Sequence, residues 1–151
     1  MTIRRATKSD ISQIVAMLAN DELGQIREDY QHPLPKKYYS AFERITADPN
    51  QELVVMEDDS KVVIGTLQLS FIPYLTYQGG IRAQIEAVRV HENHRGRRIG
   101  EQLFQWAIAE AKAKGAHLVQ LTTDKKRPKA LNFYEKMGFV ASHEGMKLHL
   151  Q

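Results

Sequence analysis

The stretch HRGRRIGEQLFQWAIAEAKAKG, residues 94–115, constrains the chain most. From Ile99 onward it reads as an amphipathic helix. Ile99, Leu103, Ala107 and Ala111 recur on one face, and Gly115 stands where a glycine ends a helix. A helix with one apolar stripe must bury it against another layer, and the preceding IRAQIEAVRV reads as a strand that supplies one. Between strand and helix lies RGRRIG. Gly96 and Gly100 permit a tight turn and close backbone approach. The first turn of a helix offers unpaired N–H groups and a positive dipole end, a setting that binds anionic oxygens. Arg95, Arg97 and Arg98 add charge, so a diphosphate fits this junction. The residue pattern leaves two alternatives open: an exposed charged turn, and a basic patch for nucleic acid. Glu92 and Glu101 flank the arginines, which weakens the second. Neither GxxxxGK[ST] nor GxGxxG occurs, which disfavours a P-loop or a dinucleotide fingerprint.

The strand before the turn is irregular. Ile81, Ala83, Ile85 and Ala87 alternate, then Val88 and Val90 continue one residue out of phase. A β-bulge produces such a slip, and a small alanine tolerant of either face would produce it too. TIRRAT reads as a strand, KSDISQIVAMLAND as a capped helix, and ELGQIREDYQHPLP as a long polar loop. KKYYSAFERITAD reads as a second helix; ELVVMED and KVVIGTLQLSF as strands joined by a turn. IPYLTYQGG is a connection, AHLVQLTT a strand, RPKALNFYEKMG a helix, and FVASHEGMKLHL a closing strand or hairpin. The order β-α-α-β-β-β-α-β-α-β implies an α/β or α+β fold with helices on the faces of a mixed sheet.

At 151 residues the chain has the size of a single domain. Its net charge of +3 is mild and does not by itself call for a nucleic-acid partner. There is no cysteine, which excludes disulfides, thiolate zinc sites and a cysteine nucleophile; no metal ligands are assigned. No apolar run nears the roughly 18 residues of a membrane span, so a cytoplasmic protein without a membrane partner is expected.

VRVHENHRGRRIGEQLFQWAI resembles the coenzyme A motif of the GNAT superfamily of N-acetyltransferases: a V-x-V strand, a polar turn, then Q/R-x-x-G-x-G/A at a helix start, which here is Arg95 to Gly100. ALNFYEKMGF, Ala130 to Phe139, resembles the A-x-x-x-Y-x-x-x-G-F segment of the same family. The resemblance implies a GNAT fold over residues 1–151, with a mostly antiparallel sheet, splayed central strands and about four helices. It implies acetyl-CoA as co-substrate. Main-chain groups of Val88, Arg89 and Val90 would pair with its pantetheine arm. Residues Arg95, Gly96, Arg97, Arg98, Ile99 and Gly100, with Glu101 at the edge, would hold its pyrophosphate. Arg127 and Asn132 would lie near the coenzyme. Two departures stand out: Arg98 occupies a position usually given to glycine, and Arg127 one where many members carry asparagine.

Amide formation from a thioester needs a base for the ammonium, a donor for the developing oxyanion and a proton for the leaving sulfur. By resemblance Tyr134 is that proton donor, although its i, i+3, i+4, i+7 stripe with Ala130, Phe133 and Met137 also suits a packed ring. Glu86 lies where many members place a base, and a salt bridge with Arg82 or Arg89 would equally explain it. His143 is a second candidate base or substrate contact. Tyr30, Tyr38, Tyr74 and Asp124 lie in the segments expected to form the acceptor site. TTDKKRPKALNFYEKMGFVASHEGMKL is also similar to the tail of aminoalkylphosphonate N-acetyltransferases. A small-molecule primary amine is the expected acceptor, with peptide, protein or lysine amines as the alternative. A homodimer is compatible with this reading. A non-catalytic acyl-CoA-binding module and a nucleic-acid-binding domain are the rivals from other classes.

Overall fold

In the computed structural model, which describes residues 1–151, the alternating segments form a five-stranded sheet. Its strands, β1 (Thr2–Arg5), β2 (Gln51–Glu57), β3 (Val63–Pro73), β4 (Ile81–Val90) and β5 (Leu118–Gln120), lie in that order. The β1–β2, β2–β3 and β3–β4 pairs are antiparallel. The helices are α1 (Ile11–Ala19), α2 (Glu22–Arg27), α3 (Lys36–Ala47), the single turn α4 (Thr76–Gly79), α5 (Ile99–Ala113) and α6 (Pro128–Lys136). This is an open α/β sheet with helices on its faces, the architecture that the sequence resemblance implies. Residues 1–119 and 120–151 form two compact units.

The two faces of the sheet carry different helices. The apolar stripe of α5, Ile99, Leu103, Ala107 and Ala111, is buried as its spacing predicts, with Phe104 beside it. At Gly65 of β3 the approach is so close that a Cβ would sit 3.1 Å from Leu103 Cδ1 and 3.2 Å from Ile99 Cγ2. Alternation then puts Leu67, Leu69 and Phe71 on the α5 face, together with Ala83 and Ile85 of β4. On the other face Ile11, Ile14, Val15 and Met17 of α1 pack with Val55, Val63 and Leu34, and with the Tyr38, Tyr39 and Phe42 side of α3.

Two segments depart from the sequence reading. The polar stretch after α1 contains α2, a six-residue helix, because Asp21 caps it: its Oδ1 accepts from Gly24 N–H at 2.5 Å. Gly24 allows the fit, since a Cβ there would lie 2.0 Å from Leu18 O. The final segment, residues 139–151, is no strand or hairpin. Met146, Leu148 and Leu150 alternate as in a strand yet are 86–93% exposed. Alternation assigns side chains to faces, but a strand exists only where a neighbour accepts its backbone hydrogen bonds.

Buried carboxylates are paired, as their desolvation demands. Arg4 donates to Asp10 at 2.8 and 3.1 Å and to Glu57 at 2.8 Å, joining β1, β2 and the turn before α1. Glu57 also takes Lys61 at 3.0 Å. Glu52 takes Arg5 at 2.8 Å and the Lys114 ammonium. Burial alone would raise the Asp10 pKa. The Arg4 guanidinium, with the Thr7 amide and hydroxyl, outweighs it and holds the carboxyl below its ordinary range. Arg4 and then Lys61 lower Glu57 likewise. Groups with depressed folded pKa values contribute stability above their unfolded pKa values, and that stability disappears as pH falls through the folded values. Thermal stability should therefore hold from about pH 7 to about pH 5 and fall below about pH 4. Arg4→Met leaves buried Asp10 without its ion pair and buried Glu57 with Lys61 alone, so its deficit in melting temperature should be large near pH 7 and shrink on acidification. An equal deficit across that range would contradict the pairing.

Candidate active site

The phase slip in β4 is a bulge. Thr66 pairs with Arg89 and Gln68 with Glu86, so Leu67 alone opposes Ala87 and Val88. Ala87 has φ 54°, a left-handed conformation unusual for a residue with a Cβ. The extra residue puts Glu86 and Arg89 on the same face as Thr66 and Gln68, the α1–α3 side. There Arg89 Nη2 meets Asp21 at 3.4 Å, tying the bulge to the cap of α2, and Arg89 Nη1 donates to Val88 O at 2.8 Å. Glu86 is exposed, with the Gln84 amide against its carboxylate. β5 joins β4 at its start, where His117 N–H donates to Ile81 O at 2.9 Å. Three residues of β5 span about 10 Å, so the outer edge of residues 86–90 has no partner strand.

Beyond β4 the chain makes a 3-10 turn at Glu92–His94 and then the RGRRIG junction. Arg95 N–H donates to Glu92 O at 3.4 Å, and Gln102 N–H opens the helix ladder on Arg98 O at 3.1 Å. The amides between them, Gly96, Arg97, Arg98, Ile99, Gly100 and Glu101, donate to no acceptor within the chain. Gly96 (φ 78°) and Arg98 (φ 59°) are both left-handed, which folds this run of amides into the tight approach to α5. A Cβ on Gly96 would meet nothing within 4 Å, so open space lies beside the run. Arg98 does not crowd it. Its guanidinium forks onto Glu101, Nε to Oε2 at 2.8 Å and Nη2 to Oε1 at 2.7 Å. The Glu101 carboxyl is held below its ordinary range by that pairing, and its charge at the head of α5 is balanced. Arg95 and Arg97 are exposed and make no ion pair.

The candidate acceptor residues are not gathered at one point. Tyr38, on α3, donates to Glu28 Oε1 at 3.2 Å and accepts from Asp29 N–H at 2.8 Å. Its ring lines a cavity that reaches Ala87. Tyr30 is 40% exposed and its ring meets His32 edge-on at 5.2 Å. Tyr74 sits near the start of β4, stacked under Arg82 at 4.0 Å with its hydroxyl on His117 Nε2. That is about five residues, roughly 17 Å along the strand, from Glu86. Sequence reasoning reaches Tyr38 and Ala87 of that cavity, but neither the rest of its α1 and α3 walls nor the Asp21–Arg89 pair. The phase slip at Ala87 was the available signal for both.

The unit of residues 120–151 holds the other candidates. Asp124 Oδ1 accepts from Lys126 N–H at 2.8 Å and Asp124 O from Arg127 N–H at 2.9 Å, a turn that delivers Arg127 to the start of α6. Asn132 is exposed on that helix. Its end explains the Y-x-x-x-G-F spacing. Gly138 (φ 95°) N–H donates to Glu135 O at 3.0 Å, Phe139 N–H donates to Tyr134 O at 3.0 Å, and the rings of Tyr134 and Phe139 stand 6.4 Å apart. This is a Schellman cap with its apolar contact, so Tyr134, Gly138 and Phe139 hold one another whatever else they do. His143 is exposed, its Nδ1 2.7 Å from Ser142 Oγ.

The model of the acetyltransferase (GNAT) family matches residues 20–139. The aminoalkylphosphonate N-acetyltransferase of Salmonella typhimurium is 32% identical over 141 residues, 93% of this chain and 86% of that one. The glucosamine 6-phosphate N-acetyltransferase of Trypanosoma brucei brucei is 33% identical over 88 residues, 58% of each. Among solved structures, a protein of Bacillus halodurans C-125 described as a transcriptional regulator superposes with a TM-score of 0.95 and 56% identity over 99% of both chains.

The left-handed conformation of Arg98 accounts for the glycine usual at this position. A side chain there costs about 1–2 kcal/mol, more for a β-branched one. Arg98→Gly removes that strain but adds unfolded-state freedom and loses an exposed ion pair worth little. Its melting temperature should stay within about 3 °C of wild type, whereas Arg98→Val should fall further. Equal losses in the two variants would contradict the assigned conformation.

Proposed function

Because the chain belongs to the GNAT acetyltransferase family, we propose that it is a single-domain enzyme carrying the acetyl group of acetyl-CoA to the primary amine of a small molecule. The observation that carries this reading is the run of undonated amides from Gly96 to Glu101, directly after a bulged strand. The amides and the α5 dipole suit a diphosphate, and the open space at Gly96 admits it. The unpaired edge of β4 suits the pantetheine arm through main-chain groups of Val88, Arg89 and Val90. The Val88 carbonyl keeps a second lone pair beside its bond from Arg89.

Acetyl-CoA supplies an acyl group activated as a thioester. Glu86, exposed on the bulged strand, takes the proton that the attacking ammonium gives up, directly or through one water. A backbone N–H at Val88–Val90 stabilises the oxyanion. The Tyr134 hydroxyl returns a proton to sulfur as the nitrogen–carbon bond forms and the carbon–sulfur bond breaks. Two curated relatives are named for amines that bear a phosphonate or phosphate. The Lys125, Lys126 and Arg127 run offers cations to such a group, which makes these amines the first members of a substrate panel.

Nucleic-acid binding is the second reading, favoured by the description of the Bacillus protein and by exposed Arg95 and Arg97. It predicts affinity that falls steeply with salt and is indifferent to acetyl-CoA.

Free-thiol release over a panel of small amines, peptides and aminoglycosides tests the activity. Turnover should be found with small primary amines, and Tyr134→Phe should lower it by about a hundredfold or more while acetyl-CoA affinity is kept. Unchanged turnover in Tyr134→Phe would remove the proton-donor role.

A further inference from the structure

The cavity between α1, α3 and the sheet has no part in the chemistry above. Its volume is about 150 Å³. Ile14, Val15, Leu18, Ala41, Phe42 and Leu53 are among the apolar side chains of its wall. Three of the polar side chains that reach it are held by bonds elsewhere in the fold. Thr66 Oγ1 donates to Val54 O at 2.9 Å, Gln68 Nε2 donates to Gln51 Oε1 at 2.9 Å, and the Tyr38 hydroxyl is held by Glu28 and Asp29. The cavity therefore offers an occupant apolar contact. Its wall runs from side chains at most 5% exposed, Ile14 and Val15 among them, to the exposed bulge residue Ala87. The cavity is open at the Ala87 end, and its volume holds an apolar group the size of benzene, about six carbons. An acetyl methyl fills a small part of it.

On the reading that the thioester lies along the bulged end of β4, its acyl carbon comes to rest beside Ala87. We infer that the cavity takes the acyl chain of the donor, so that the protein accepts coenzyme A thioesters of up to about six carbons. The inference rests on the proposed acyl transfer, and the balance of the reaction is the same: one carbon–sulfur bond breaks, one amide bond forms, and a proton passes from amine to sulfur.

The test is calorimetric titration of the full chain with coenzyme A, acetyl-CoA, butyryl-CoA and hexanoyl-CoA, without amine. Affinity should rise along the acyl series, with hexanoyl-CoA bound at least about tenfold more tightly than acetyl-CoA, since each buried methylene contributes. Ala41→Leu, which fills the cavity from α3, should erase that gain and leave acetyl-CoA binding unchanged. Equal or weaker binding of hexanoyl-CoA, with acetyl-CoA still bound, would overturn this inference alone. Binding of none of the four would overturn the proposed function with it. A flat acyl series together with an Ala41-dependent preference for benzylamine over methylamine in turnover would give the cavity to the acceptor and overturn the inference. Should Ala41→Leu fail to fold by circular dichroism, the wild-type acyl series decides by itself.

Discussion

One break in a hydrogen-bonded ladder organises the region around the candidate site. Because Leu67 faces both Ala87 and Val88, every residue of β4 after the bulge changes phase relative to those before it. Arg89 thereby points to the α1–α2 junction, where it meets Asp21, and Asp21 in turn caps α2. Val90 lands opposite Gly65, against which α5 packs closely. Ala87 becomes one wall of the apolar cavity. A continuous ladder would turn Arg89 to the opposite face and remove its partner. The left-handed φ at Ala87, held in place by these contacts, is the local strain that accompanies this arrangement.

On the proposed function the basic turn after the bulge binds through its backbone. Three arginines suggest an anion site made by side chains, but Arg98 is spent on Glu101 and fixes the approach to α5 instead. What remains pointed outward is a series of amides at the positive end of a fifteen-residue helix, with Arg95 and Arg97 nearby. A backbone site of this kind depends on dihedral angles more than on side-chain identity, which is why the conformations of Gly96 and Arg98 matter more than the number of arginines.

Much of this was legible because periodicity reports burial. The α5 stripe, the short strand β1 and the phase slip of β4 follow from which side chains must face the core. Helix α2 was not legible: at six residues its apolar pattern is too short to stand out from a polar stretch, and it depends on a single cap from Asp21. The alternating Met146, Leu148 and Leu150 misled in the opposite direction, since a period of two says nothing about whether a neighbouring strand exists. Tyr134 illustrates a third limit. One spacing, Y-x-x-x-G-F, serves a helix cap and a proposed proton donor at once, and sequence by itself does not separate the two uses.

The central claim is that the backbone of the bulged strand and of the α5 start receives the coenzyme. Titration of unlabelled coenzyme A into the ¹⁵N-labelled protein, followed by amide chemical shifts, tests it most directly. The largest changes should fall on residues 88–90 and 96–101. Binding that leaves those amides unmoved and shifts others would contradict the account.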